Sequence, residues 1–155
     1  MEITSKQFGS ILVALIFFGS TITFALNFAL PEEKSSTSHE NVYERPISDA
    51  ERQNFIVNDI TSVMFFYSKN QLNSSENTEI ENIANMFGKK IIVEKIDVST
   101  FRSFSAEYNI QYVPIILIKG KNNLNAPIRI EGEVDQNELK NDICSTYQNK
   151  PDICD

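Results

Sequence analysis

The chain has 155 residues, a net charge of −7 and a pI of about 4.8. That length holds one apolar terminal segment and one domain of roughly 100–110 residues, which is large enough to bury a core. An acidic surface repels phosphate backbones and argues against nucleic acid as a partner, while eleven Phe and no Trp suggest a Phe-rich interior.

Residues 1–7 are followed by a run from Phe8 to Leu30, 23 residues without a charge. At a rise of about 1.5 Å per residue, this run crosses a hydrocarbon layer of about 30 Å with some tilt. A signal-peptide apolar region is shorter, about 7–15 residues. An uncleaved transmembrane anchor is therefore the expectation, and a signal cleaved near Thr23-Phe24-Ala25, with secretion, is the alternative. Lys6 and the α-amino group precede the run and Glu32 and Glu33 follow it. The positive-inside bias then puts the N-terminus in the cytoplasm and the domain on the extracytoplasmic side.

Residues 31–47 are polar, with Glu-Glu-Lys, a Ser-Ser-Thr-Ser run and the single His39; they lack an apolar period and read as a flexible linker. A lone His without Cys or His neighbours cannot make a metal site. From residue 48 the pattern changes. Ser48 and Glu51 have capping-box spacing before Phe55, Ile56 and Ile60, which predicts a helix over 49–59. The run 62–68 is almost wholly apolar and suits a central strand buried on both faces. Ile80, Ile83, Ala84 and Phe87 lie at i, i+3, i+4, i+7 and Gly88 follows, which predicts a helix over 76–87.

A strand over 91–97 comes next, then a short helix over 100–108 with Phe101, Phe104 and Tyr108 inward. A strand over 115–118, the turn Lys119-Gly120-Lys121-Asn122-Asn123 and a hairpin partner over 127–131 complete the sheet. Asp135 caps a last helix, with Glu138 at its third position and Leu139, Ile143 and Tyr147 inward. The carboxylates Glu131, Glu133, Asp135 and Glu138 are read as a solvated loop and a helix cap rather than a Ca²⁺ site. The order αβαβαββα favours a parallel strand pair with antiparallel strands added at one side.

Phe65-Phe66-Tyr67-Ser68 leading into Gln71-Leu72-Asn73-Ser74, Tyr112-Val113-Pro114 before a strand, and Gly132 after Ile128-Arg129-Ile130-Glu131 together resemble the thioredoxin-like family over residues 48–148. The resemblance implies an α/β three-layer fold, a mixed sheet flanked by helices, and a cis bond at Val113–Pro114. In active members the turn reads Cys-x-x-Cys. The matching positions here are Gln71 and Ser74, so no catalytic residue is assigned. An amide cannot attack a disulfide, and a hydroxyl cannot act as a resolving thiol. Where some members bury an Asp six residues before the first cysteine, this chain has Phe65. The resemblance also implies a peptide-binding groove, in which the backbone of Val113, beside Pro114, pairs with an extended segment; such pairing needs no thiol. The opposing reading is an inherited structural turn. Asn73-Ser74-Ser75 is a glycosylation sequon, and a glycan there would cover the turn.

Cys144 and Cys154 are the two cysteines. In an exported domain such a pair is most simply a disulfide, here pinning the C-terminal tail to the last helix. A relocated redox pair and a partial metal site are the alternatives, the latter short of a tetrahedral ligand set. No metal and no cofactor is called for. The sequence thus points to a membrane-anchored, extracytoplasmic binding or structural module without redox chemistry at its turn. The alternatives are a thiol–disulfide oxidoreductase using Cys144 and Cys154, and a membrane-tethered structural accessory without a groove.

Overall fold

The computed structural model describes residues 41–71 and 75–155. The expected anchor over 8–30, the linker as far as residue 40 with His39, and the turn residues Leu72, Asn73 and Ser74 lie outside the described residues. Among the described residues, no helix is long and apolar enough to cross a membrane.

Strand β1 is Val42–Tyr43. This corrects the linker reading, which ran to residue 47. By Asn41 the chain is already part of the domain. The Asn41 C=O accepts from Val93 N at 2.8 Å. Its side-chain amide donates to the C=O of Ala84 at 3.0 Å and of Gly88 at 2.8 Å. Ala84 lies in the last turn of a helix, where carbonyls lack partners within the helix itself, and the Gly88 C=O also accepts from Ile91 N. Helix α1 (Asp49–Val57) begins as expected, with the Ser48 hydroxyl accepting from Glu51 N at 3.3 Å. Strand β2 (Thr61–Tyr67) is buried at every position. Helix α2 (Ser75–Phe87) buries Ile80, Ile83, Ala84 and Phe87, the face that the spacing requires, and stops where Gly88 takes φ +52°.

Strand β3 (Ile91–Asp97) is likewise buried throughout. Helix α3 (Arg102–Glu107) is shorter than the predicted 100–108. The residues ahead of it turn back onto Asp97, whose carboxylate accepts from the hydroxyls of Ser99 and Thr100 and whose C=O accepts from Thr100 N and Phe101 N. Local side-chain bonds of this kind compete with helix formation. Strands β4 (Ile115–Lys119) and β5 (Ile128–Glu131) form the hairpin, and α4 (Gln136–Ser145) closes the fold. The Asp135 carboxylate accepts from Asn137 N and Glu138 N at 2.9 Å each.

The five strands form one mixed sheet in the order β1-β3-β2-β4-β5. The pairs β1–β3 and β2–β3 are parallel, with Val63 opposite Val93 and Phe65 opposite Lys95. The pairs β2–β4 and β4–β5 are antiparallel, with Phe66 opposite Ile115 and Ile115 opposite Glu131. Alternation along β2 feeds two cores, one on each face. Val63, Phe65 and Tyr67 pack with Ile80, Ile83, Phe87, Leu139 and Ile143 of α2 and α4. Met64 and Phe66 pack with Ile96, Ile115 and Leu117 and with the half-buried Phe101, Phe104 and Tyr108 of the α3 region.

Candidate functional site

The expected groove is organised around Pro114, which lies between α3 and β4 and is joined to Val113 by a cis peptide bond. Pro114 is tied to the rest of the fold by its carbonyl, which accepts from Gly132 N at 3.2 Å. Gly132 has φ +85°, a conformation that L side chains rarely adopt and glycine does at little cost. It lets the chain leave β5, offer its N–H to Pro114 and turn towards the Asp135 cap. Among the described residues the Val113 N–H and C=O enter no backbone hydrogen bond outside the strands. The Val113–Pro114 bond thus joins a residue without such a bond to one whose carbonyl is bonded to Gly132. Val113 packs against the core that holds Met64 and Phe66.

Of the turn expected over Gln71–Ser74, Gln71 closes a 3-10 turn over Lys69–Gln71, and α2 starts at Ser75. Leu72, Ser74 and the sequon residue Asn73 lie outside the described residues. Positions 71 and 74 carry no cysteine.

The chain's cysteines are elsewhere and are joined: Cys144 and Cys154 form a disulfide with their Cα atoms 5.6 Å apart, leaving no free cysteine. Cys144 belongs to the core under α2 and α4, on the sheet face opposite Val113, with Ile153 and Cys154 packed against it. The tail that it fixes has further clasps. The Asp59 carboxylate accepts from Gln148 N at 3.0 Å and Asn149 N at 2.9 Å. Burial opposes the charge of Asp59, yet these donors hold its pKa below the ordinary value. Asn122, in the β4–β5 turn, donates from its backbone to the C=O of Thr146 and from its side chain to the C=O of Tyr147.

The sequence pattern does not single out the polar side chains near the Val113–Pro114 segment. Asn109, Gln111, Tyr112, Arg129 and Glu131 line a polar hollow of about 340 Å³, and Tyr112 immediately precedes Val113 in the chain. Tyr112 donates its hydroxyl to Glu131, and Arg129 Nε donates to the other oxygen of Glu131 at 2.6 Å. Hydrogen bonding from Tyr112, then from Arg129, lowers the pKa of Glu131, and the bond to Glu131 raises that of Tyr112. The signal was present in Ile128-Arg129-Ile130-Glu131, where a period of two puts both charged residues on one face of the strand.

A second polar group lies on the same sheet face, below α1. Arg52 and Glu94 are 2 % and 0 % exposed. Arg52 Nε and Nη2 each donate to a Glu94 oxygen at 2.8 Å. Glu94 also accepts from Ile47 N at 2.9 Å and from the Ser62 hydroxyl at 3.1 Å. The guanidinium lies 5.6 Å from the centre of the Phe104 ring. This pair is fully bonded and closed to solvent, which suits a structural role. On the other face, Lys95 is 4 % exposed and meets Glu81 at 3.1 Å and Glu44 at 3.6 Å.

No family model and no curated protein matches the chain. Solved structures do. A mutant thioredoxin from Halobacterium salinarum NRC-1 aligns with a TM-score of 0.53 at 18% identity, covering 75% of this chain and 99% of that one. A malarial protein aligns with a TM-score of 0.50 at 21% identity, covering 56% of this chain and 97% of that one. Likeness at these identities concerns the backbone. The chain has a thioredoxin-like fold, with a mixed sheet flanked by helices, and lacks the cysteine pair at the turn where thiol chemistry would be done.

Proposed function

We propose that this protein is a membrane-anchored, extracytoplasmic binding module that holds an extended peptide or protein segment along Val113 and has no redox chemistry at its turn. The observation that carries the reading is the Val113 backbone beside Pro114, free among the described residues of backbone hydrogen bonds outside the strands, in a chain without cysteine at 71 or 74. An extended segment adding to that backbone gains main-chain hydrogen bonds with no covalent step. Exchange through a mixed disulfide requires sulfur at the attacking position. The 23-residue uncharged run supports the anchor, and the Cys144–Cys154 bond supports an oxidising compartment.

Affinity of the full-length chain for a pool of extended peptides, set beside a Val113→Pro variant, tests this. Proline removes the N–H at that position. Binding that weakens at least about tenfold in the variant, a change of about 1.4 kcal/mol, supports the groove, provided the variant keeps its far-UV spectrum. Equal binding by both proteins contradicts it. Disulfide-reductase turnover that disappears when Cys144 and Cys154 are replaced by Ser would instead establish the oxidoreductase alternative.

A further inference from the structure

The hollow beside Val113 bears on which segment the groove holds, and its role as a subsite rests on the groove proposed at Val113. Asn109, Gln111 and Tyr112 lead directly into Val113, and Glu131 precedes Gly132, the residue bonded to Pro114. A side chain projecting from a strand laid along Val113 has this hollow beside it. Tyr112 is 53 % exposed, and its hydroxyl is fixed on Glu131. Its ring is thereby held at the mouth of the hollow, where an aromatic face attracts a cation. The Glu131 side chain is 41 % exposed and receives one donor on each oxygen. A carboxylate oxygen can accept more than one hydrogen bond.

Arg129, the cation among the described residues that line the hollow, is engaged within the protein. Its Nε bonds Glu131, and its Nη1 donates to the C=O of Tyr108 at 3.4 Å. Next in the chain after Gly132, Glu133 and Asp135 are exposed, and the whole chain has a net charge of −7. Such a field draws cationic segments and repels anionic ones.

We propose that the hollow is a subsite for a Lys or Arg side chain of the bound segment, with Glu131 as its charge partner and the Tyr112 ring as its platform. An acidic side chain at that place meets the carboxylate of Glu131. An apolar one strips water from the Arg129–Glu131 pair and returns no hydrogen bond.

Three extended seven-residue peptides that differ only in the central residue, Lys, Gln or Glu, test the subsite on the full-length chain by calorimetry. The Lys peptide is expected to bind about tenfold more tightly than the Glu peptide, the sum of a partly exposed ion pair and a cation–π contact. Glu131→Gln should abolish the Lys preference, while continued binding of the Gln peptide reports that the groove is intact. Tyr112→Leu should reduce the Lys preference, and higher salt should shrink it. Equal affinity for the three peptides, or a Lys preference that survives Glu131→Gln, overturns the subsite while the groove stands. Failure of all three to bind overturns the groove and the subsite together.

Discussion

Arg52 of α1 and Glu94 of β3 join through two parallel hydrogen bonds of 2.8 Å in a site where neither side chain reaches solvent. Burial opposes the charge of the guanidinium, and the bonds to Glu94 overcome it, so the pKa of Arg52 lies above its ordinary value. Charges in a dry interior are costly one at a time and tolerable as a bonded pair. Glu94→Ala leaves the buried Arg52 with only the exposed Asp49 as an anionic partner. Stability should fall by about 3–5 kcal/mol, and replacing both residues by apolar ones of similar volume should recover most of it. Midpoints and slopes of denaturant unfolding measure both effects.

The Cys144–Cys154 bond closes an 11-residue loop. In the loop-entropy account, replacing both by Ser should lower stability by about 2–4 kcal/mol. Peptide affinity should not change, because the bond sits in the core on the sheet face away from Val113. Calorimetry on the double variant, with and without peptide, reads the two quantities separately.

Gly120 lies against α4's end. A Cβ built there comes within 2.6 Å of Thr146 Cβ and 2.9 Å of Thr146 O. Because backbone is among the obstacles, Gly120→Ala must push the β4–β5 turn away from Thr146, which also hydrogen-bonds Thr61 at 2.7 Å. Overpacking of this kind costs about 1–3 kcal/mol, measurable as a lowered thermal midpoint.

Asp59 and Asp97 set an acid-side limit. Both carboxylates have depressed pKa values: burial opposes their charge, but donors from Gln148 and Asn149 in one case and from Thr100 and Ser99 in the other outweigh it. A depressed carboxylate contributes stability that is fully present above its unfolded value of about 3.9 and is lost as pH falls through the folded value. Asp59→Asn should therefore flatten the pH dependence of stability below about pH 4, while changing its slope little near neutrality. Unfolding midpoints from pH 2 to 7 give the comparison.

Much of the scaffold was legible because its signals are local. The period of Ile80, Ile83, Ala84 and Phe87, the Asp135 cap and Val113-Pro114 each sit within a few residues. What escaped depends on tertiary partners. Val42–Tyr43 is two residues long and lies in a polar stretch; only the waiting edge of β3 makes it a strand. Glu94-Lys95 directly after Ile91-Ile92-Val93 in β3 was visible, but Arg52 reads from sequence as an exposed helix residue. The hollow is assembled from residues about twenty positions apart, and no spacing rule connects Tyr112 to Glu131.

The central claim is that an extended segment adds to the open backbone at Val113. Amide chemical-shift mapping of the full-length chain against an unreactive extended peptide tests it most directly. The account predicts shifts concentrated at Tyr112, Val113, Glu131 and Gly132, with little change at Cys144 and Cys154. Shifts centred on the Cys144–Cys154 tail, or none at Val113 at saturating peptide, would contradict it.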